Sequence, residues 1–243
     1  MGEAASPAEE AAPDAEREAR EALALALVVT GAVTALSYLA PPAYANLLVA
    51  AVFLAGAYWG AWRHPPPTIR WHGLSFGGLA EPEPLDAARI ARRLVGATLW
   101  ALAAAAIFFP PFVIGYRYWW NAEGWSARFP PEAFDLVMTQ IVVVAVPEEA
   151  FFRGVVQTRL EALSRRKLRV LGAEVGWGLL ATSAIFAVGH LLTIVRVERL
   201  AVFFPSLVFG WLRARTGGVG AGVLFHAMCN TLSAFLAYGF GLR

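Results

Sequence analysis

Cysteine and charge are both scarce in this sequence. Of the 243 residues only Cys229 is a cysteine, which excludes an intrachain disulfide and a cysteine-based metal cluster. Charged residues make up 16% of the chain, the formal net charge is +2, and no nucleic-acid-binding signature is present. We therefore expect neither a disulfide-stabilised fold nor a nucleic-acid partner.

A basic secretory leader is also missing at the N-terminus. The first 21 residues hold seven acidic residues against Arg17 and Arg20, and they run directly into a long apolar stretch. A secretory signal begins with basic residues and ends at a small-residue cleavage site. We expect residues 1–21 to form a short, mobile acidic tail, followed by an uncleaved first span.

Hydrophobic residues, in contrast, account for 58% of the chain. They are gathered in long stretches, as expected where about 20 apolar residues cross the hydrocarbon core as a helix. The sequence predicts an all-α fold, a polytopic transmembrane helical bundle of about seven spans. The predicted spans are 22–40, 45–62, 94–116, 134–156, 175–194, 200–213 and 218–239.

These spans divide the chain after its tail into an N-terminal transmembrane region, 22–130, with three spans and a C-terminal region, 131–243, with about four. Outside the spans, fourteen lysines and arginines lie on the side of the N-terminus and five on the other side. By the positive-inside rule the N-terminus is cytoplasmic. Because the alanine-rich composition fits a bacterial chain, we expect an integral protein of the bacterial inner membrane, in contact with the lipid bilayer.

Ionisable residues within the predicted spans are candidates for function. Each costs roughly 2.5–3.5 kcal/mol on insertion scales, so such residues are rare without a role. The five ionisable residues, with one polar companion, are Glu148, Glu149, Arg153, His190, His226 and Asn230.

The two adjacent glutamates differ in their helical positions. At about 100° per residue, Glu149 and Arg153 share a helix face, whereas Glu148 points about 140° away from Arg153. We expect Glu149 and Arg153 to form a structural ion pair. Glu148 is left without a partner on its own helix and is suited to act as a general base.

Two histidines lie on later spans with a helical partner each. Phe186 and His190 are four residues apart, so the ring can pack against the imidazole, and His226 and Asn230 share the same spacing. A single histidine in an apolar helix is more often a packing residue. Two histidines together with an amide and an unpaired glutamate favour a joint site.

The segments EEAFFR, FAVGH and HAMCN fit Glu-Glu-x-x-x-Arg, Phe-x-x-x-His and His-x-x-x-Asn, in that order on successive spans. The ordered triple resembles the CPBP family of intramembrane glutamic endopeptidases, which includes CAAX prenyl proteases, bacteriocin-processing or immunity proteins, and a myxosortase branch. The resemblance covers about residues 134–240. The first 130 residues show no comparable likeness.

The resemblance implies a mechanism and a residue set. In the family the first glutamate and the middle histidine activate a water, and the last histidine and asparagine hold the oxyanion. It therefore implies that Glu148 and His190 act as the base and that His226 and Asn230 donate to the oxyanion, with no metal and no cofactor. The supporting motif residues are Glu149, Arg153 and Phe186.

The predicted depth of His190 in the membrane conflicts with a single site that also contains Glu148 and His226. In regular helices it would lie of the order of 13 Å from the level of Glu148 and His226, at 1.5 Å per residue. We expect the chain between 190 and 205 to dip back as an irregular segment that lines the cavity. Pro205 and the cluster of Arg196, Glu198 and Arg199 make a continuous helix there unfavourable, and the sixth span is short.

Several functions remain open at this point. An intramembrane peptidase would cleave a membrane-embedded or membrane-anchored substrate: a leader, a C-terminal sorting tail or a CAAX-like tail. A zinc metalloprotease would use two histidines and a glutamate, although His-Glu-x-x-His is missing and Asn230 is a weak ligand. A non-catalytic immunity or scaffold protein, or a transporter with a proton path, is the third possibility.

Overall fold

The computed structural model describes residues 7–81, 84–127 and 130–242, with side chains from residue 15 onward. In this part of the chain the helices are α1 (Pro7–Leu39), α2 (Pro42–Ala57), α3 (Pro66–Trp71), α4 (Ala87–Trp119), α5 (Ala133–Thr139), α6 (Val146–Glu149), α7 (Thr158–Ala162), α8 (Trp177–Thr193), α9 (Phe203–Thr216) and α10 (Gly220–Gly239). Wider π-helical turns occupy Tyr58–Trp62, Gln140–Ala145 and Ala150–Gln157, and 3₁₀ turns occupy Phe76–Gly78 and Val197–Val202. The strands β1 (Leu168–Val170) and β2 (Ala173–Val175) complete the fold.

Among the described residues, four helices are long and apolar enough to cross a membrane. They are Ala15–Leu39, Pro42–Trp62, Ala87–Trp119 and Gly220–Gly239. Large apolar side chains on their surfaces remain exposed, as expected of helices that face lipid: Leu27 is 76% exposed and Ile107 is 65% exposed. The chain is an all-α membrane protein, as the composition predicted, whereas the count of seven spans is not confirmed.

The predicted fourth span is helical throughout, although its turns are not uniform. We call residues 133–162 the composite helix, because α5, α6 and α7 follow one another with two π-helical stretches between them. Pro147 lies near the start of α6, directly after the first of these stretches. Proline lacks an amide hydrogen and its ring clashes with the carbonyl four residues earlier, and a wider turn relieves that clash.

The fifth and sixth predicted spans are shorter than a bilayer core. The 17 residues of α8 and the 14 residues of α9 extend about 26 Å and about 21 Å, against a core of about 30 Å. Between them, residues 194–202 form an irregular segment, beginning with extended backbone at Ile194 and Arg196 and ending in a 3₁₀ turn. The expected irregular segment is present.

Pro205 has a different part in this region from the predicted one. It lies in the first turn of α9, where a missing amide hydrogen breaks no helical hydrogen bond. The helix therefore begins beside the proline and is not interrupted by it. The break in the chain comes earlier, where α8 ends at Thr193.

The acidic N-terminal segment differs from the prediction of a mobile tail. Residues 1–6 lie outside the described residues, but α1 runs as one helix from Pro7 into the first span. Ala19 is only 2% exposed, and Glu21 Oε2 lies 3.5 Å from Arg159 Nη1 on α7. Alanine, glutamate and arginine are strong helix formers, so an acidic composition does not by itself prevent a helix.

A short hairpin that the sequence analysis did not predict follows the composite helix. Strands β1 and β2 pair antiparallel, with Leu168 opposite Val175. Leu171 and Gly172 form the turn, and both have positive φ, as a two-residue hairpin turn requires. Three-residue strands are too short to show an alternating pattern, so this hairpin could not be predicted from periodicity.

The core lies where the C-terminal helices meet. The composite helix, α8, α9 and α10 pack around a set of buried aromatic rings, and α1, α2 and α4 close the outside of this group. The main rings are Phe151, Phe152, Phe186, Phe209 and Phe225. This arrangement places Glu149 and Arg153 of the composite helix inside the protein and away from lipid.

Candidate active site

The expected ion pair between Glu149 and Arg153 is present at the centre of the core. Arg153 Nε lies 3.2 Å from Glu149 Oε2, and both side chains are fully buried. The guanidinium also donates to Ser206 Oγ at 3.1 Å and lies 4.9 Å from the centre of the Phe186 ring. Arg153 is thus held by a carboxylate, a hydroxyl and an aromatic face, as a buried cation requires.

Glu149 has a second partner that helical spacing did not predict. Its Oε1 lies 3.0 Å from Nδ1 of His226 on α10. Because a carboxylate in an ion pair only accepts, His226 Nδ1 donates this hydrogen bond. The histidine ring also stacks on Phe209, with centroids 4.6 Å apart. Glu149 therefore links the composite helix to α10 as well as holding Arg153.

Glu148 is separate from this network. Its Oε2 lies 4.0 Å from His226 Nε2, and within the described part of the chain this buried oxygen makes no hydrogen bond. The Glu148 side chain is 13% exposed and lines a cavity of about 310 Å³ between α1, α2, the composite helix and α8. His190 and Arg199 line the same cavity. The carboxylate without a partner thus faces open space, with a histidine and a cation nearby.

His190 is fixed by its neighbour one turn earlier. Its Nδ1 lies 3.0 Å from the carbonyl oxygen of Phe186, and the two rings are 4.3 Å apart. A carbonyl oxygen only accepts, so Nδ1 carries the hydrogen and Nε2 of the neutral ring is an acceptor. The centre of the Phe186 ring also lies 6.0 Å from that of His226, so one aromatic ring lies near both imidazoles.

Asn230 is occupied by a residue that the motif analysis missed. Asn230 Nδ2 donates to Oε1 of Gln140 at 2.9 Å, across from α10 to the composite helix. Asn230 and His226 are not among the residues that line the cavity. The structure therefore brings Glu148 and His190 to one cavity, sets His226 behind Glu148, and holds Asn230 one turn further along α10.

Three contacting residues were missed by sequence reasoning. Gln140 is a polar residue in the apolar run LVMTQIVVVAV, a signal that was visible but was not singled out. Arg199 was considered only as a residue that disfavours a helix. Ser206 gave no signal, because serine is common in membrane helices.

Comparison with known proteins agrees with the motif region. Residues 130–232 match the model of the Rce1-like family, the type II CAAX prenyl endopeptidases. Searches among curated proteins and among solved structures each found no match. The matched region contains both glutamates, both histidines, Arg153 and Asn230. Residues 130–232 of this membrane chain thus resemble the type II CAAX prenyl endopeptidases, a family of peptide hydrolases.

Proposed function

We propose that the chain is an intramembrane glutamic endopeptidase, which hydrolyses a peptide bond of a membrane-associated substrate with water activated by Glu148 and His190. The observation that carries the proposal is the Glu148 carboxylate, which has no ion-pair partner on its own helix and faces a cavity together with His190. Unlike Glu149, which is paired with Arg153, Glu148 is a partly buried carboxylate that faces a cavity, and such a group contributes little to stability. It is a suitable general base.

The reaction begins with a water between Glu148 and His190. The carboxylate takes a proton from this water, and the oxygen attacks the carbonyl carbon of the scissile bond. His190 Nε2 is free to accept a hydrogen bond or a proton, because Nδ1 is committed to the Phe186 carbonyl. The proton taken from water then passes to the leaving amine nitrogen as the carbon–nitrogen bond breaks.

His226 and Asn230 act as the oxyanion donors in this proposal. His226 already uses Nδ1 toward Glu149, so it donates from Nε2 to the oxyanion only when both ring nitrogens carry a hydrogen. Asn230 uses one amide hydrogen toward Gln140 and has the second available. Preorganised donors of this kind stabilise the charge that develops on the carbonyl oxygen.

The substrate reaches the cavity from the membrane in this account. Apolar side chains of the first two spans, including Val33, Val49 and Phe53, line it beside the polar residues. We therefore propose a membrane-embedded or membrane-anchored protein as the partner, cleaved at a leader, a C-terminal sorting tail or a CAAX-like tail.

The experiment that tests this function compares membrane proteomes. A strain with Glu148→Gln should accumulate one or more membrane proteins with an uncleaved leader or tail, whereas a strain with Leu99→Ala should not. Identical termini in the Glu148→Gln strain and the wild type would contradict the proposal.

Purified protein should keep its activity in excess chelator. Loss of activity on chelation, with recovery on added zinc, would favour the zinc metalloprotease.

We also propose that the protein lies in the bacterial inner membrane with its N-terminus in the cytoplasm. The fourteen-to-five distribution of lysine and arginine supports this orientation. A topology reporter in the 157–174 loop should report the cytoplasm, and one fused after Arg243 should report the outside. Two reporters on the same side would rule out the odd number of spans.

A further inference from the structure

The hairpin of β1 and β2 begins with a run of exposed basic residues: Arg165, Arg166, Lys167 and Arg169. Two carboxylates lie close to this run. Glu161 is engaged by the backbone, because its Oε1 accepts from the amides of Gly176 and Leu179 at 3.0 Å and 2.8 Å. Glu174 lies opposite Arg169 in the strand register. The hairpin therefore carries a net positive charge.

Apolar side chains at the end of the same hairpin are exposed as well. Leu168 is 73% exposed, Val170 is 41% exposed and Leu171 is 79% exposed. On β2, in contrast, Ala173 and Val175 are buried in a small cluster with residues of α8 and α9. The apolar residues of the second strand thus belong to the core, whereas those of the first strand and the turn lie largely outside it.

Leu171 is also unusual in its backbone conformation. Its φ is 47°, in the left-handed region that favours glycine, asparagine and aspartate, and it forms the two-residue turn together with Gly172. A leucine at this position is favoured neither by the turn nor by burial among the described residues. Both observations indicate that its side chain is buried against something outside the chain.

The hairpin lies beside a helix that faces lipid. Trp211 Nε1 donates to the carbonyl oxygen of Val170 at 2.9 Å, and the Trp211 ring lies 5.7 Å from that of Trp100 on α4. Leu99, next to Trp100 in this candidate span, is 61% exposed. Tryptophan collects where the hydrocarbon core meets the lipid headgroups. The hairpin is thus held at the level of the membrane interface.

Arg215, near the end of α9, adds a fifth cation at this level. Its guanidinium lies 4.6 Å from the centre of the Trp100 ring. Its Nε is also close to the turn, at 3.2 Å from the position that a Cβ on Gly172 would occupy. We use the name hairpin patch for the five cations and the two exposed leucines: Arg165, Arg166, Lys167, Arg169, Arg215, Leu168 and Leu171.

Clustered cations and exposed apolar side chains at this level match the chemistry of an anionic phospholipid. Its phosphate oxygens accept hydrogen bonds from guanidinium and ammonium groups. Negatively charged headgroups attract basic residues near the membrane surface, and apolar side chains enter the boundary between the headgroups and the acyl chains. A soluble acidic protein would have to reach a surface that the bilayer already borders.

We propose that the hairpin patch is a binding site for an anionic phospholipid of the surrounding bilayer, with its cations on the phosphate and with Leu168 and Leu171 among the upper acyl carbons. The inference does not depend on the proposed peptidase function. Because the hairpin joins the composite helix to α8, the bound lipid also holds the ends of the two helices that carry Glu148 and His190.

Native mass spectrometry of the purified full chain tests this site. The protein in neutral detergent is titrated with phosphatidylglycerol or with phosphatidylcholine, and the affinity for the first bound lipid is measured. Wild type should bind phosphatidylglycerol at least about tenfold more tightly than phosphatidylcholine. Arg166→Gln with Lys167→Gln should weaken phosphatidylglycerol binding about 10- to 30-fold, at about fivefold per cation, and leave phosphatidylcholine binding unchanged.

The matched control is Arg92→Gln with Arg93→Gln, which removes two exposed cations near the start of α4. This variant should keep the wild-type affinity for phosphatidylglycerol. An equal loss of affinity in both double variants would mean that net charge alone attracts the lipid, and it would overturn the proposal. Equal binding of the two lipids by wild type would overturn it as well.

Leu171→Asn tests the apolar part of the patch. Asparagine is favoured at positive φ, so this variant should fold and keep its melting temperature. Its affinity for phosphatidylglycerol should fall about three- to tenfold at unchanged charge, because an apolar side chain no longer enters the lipid. An unchanged affinity would show that Leu171 does not contact the lipid and would contradict the proposal.

A competition with glycerol 3-phosphate distinguishes a lipid from a free phosphate. This soluble anion, at the concentration of the lipid, should leave phosphatidylglycerol bound. Displacement of the lipid would mean that the cations bind any phosphate, and it would overturn the assignment to a phospholipid.

Discussion

Helices α1 and α4, before residue 130, each run for 33 residues, and α4 carries its charged residues near its ends. After residue 130 the composite helix alternates between α and π turns, α8 and α9 are short, and an irregular segment joins them. The buried ion pair of Glu149 and Arg153 lies in this second region. The region before residue 130 contributes apolar surfaces that face lipid, and the region after it contributes the buried polar residues.

The comparison shows how irregular backbone and buried polarity depend on each other. Within the second π-helical stretch, the carbonyl of Gly154 accepts from His72 Nδ1 at 2.7 Å, and that of Arg153 accepts from Thr158 Oγ1 at 3.1 Å. Away from water such carbonyls need partners, and side chains supply them here. A buried charged site in a membrane protein therefore needs further polar residues nearby, because these residues hydrogen-bond to the irregular backbone around the charge.

The largest expected effect is a loss of stability when a buried charge of the second region is removed, compared with a substitution in the first region. Glu149→Gln keeps an acceptor for His226 but leaves the buried Arg153 guanidinium without a charge partner, so the protein should lose about 3–5 kcal/mol of stability. The double variant Glu149→Gln with Arg153→Met should recover part of this loss, because no unpaired charge remains. Leu99→Ala, at a 61% exposed position of α4, should change stability by less than about 0.5 kcal/mol.

Melting curves in detergent and steady-state levels in membranes measure these differences. A Glu149→Gln variant as stable as wild type would show that the ion pair does not hold the second region together. A Leu99→Ala variant as unstable as Glu149→Gln would show that the two regions do not differ in their contribution to stability.

The next effect concerns the junction of the regions, where His72 from the loop after α3 contacts the composite helix. Burial lowers the pKa of His72 from 6.5 to about 4, with the cations of Arg159 and Arg213 adding to the shift. Between these values the unfolded chain binds a proton that the folded protein does not, so stability falls as pH decreases from about 6.5 to about 4. The loss is at most about 3 kcal/mol.

Melting temperatures measured across this pH range in detergent test the junction. His72→Leu should flatten the pH dependence even though it removes a hydrogen bond. His64→Gln, which alters a histidine just before α3, should leave the pH dependence in place. A pH dependence that survives in His72→Leu would assign the effect to other groups.

The smallest predicted effect tests whether the composite helix positions Asn230. Gln140→Leu removes the acceptor for Asn230 Nδ2, so kcat should fall about three- to tenfold with little change in KM. Gln140→Glu restores an acceptor and should recover most of the rate, and Val142→Ala, on an exposed face of the same helix, should behave as wild type. An unchanged kcat in Gln140→Leu, measured on a lipid-anchored peptide that the wild type cleaves, would show that Asn230 needs no such support.

The sequence predicted those contacts that lie within one helix. Glu149 with Arg153 and Phe186 with His190 are four residues apart, and helical spacing alone brings each pair together. The contacts of His226 with Glu149 and of Asn230 with Gln140 join residues 77 and 90 positions apart, and no spacing rule reaches them. The motifs thus identified the polar residues, whereas the partners of these residues on other helices could be identified only from the structure.

Other differences have equally local reasons. An apolar stretch indicates burial in a bilayer but does not show where a helix changes to π turns or ends early, which is why the count of seven spans was not confirmed. The segment 194–202 was predictable because its charges and the depth of His190 conflicted with a continuous helix. For the N-terminal segment, acidic composition suggested mobility, while the helix propensity of the same residues favoured a helix.

The central claim is that Glu148 is the catalytic base and not a structural residue. Within the described chain its Oε2 makes no hydrogen bond, so Glu148→Gln removes a charge without leaving a partner behind. The most direct test measures, side by side, the rate at which this variant cleaves a lipid-anchored peptide that the wild type cleaves, and the melting temperature of the variant. We predict a rate reduced by about 10²- to 10⁴-fold with an unchanged melting temperature. A Glu148→Gln variant that cleaves at the wild-type rate, or that unfolds while Glu149→Gln is stable and inactive, would contradict this account.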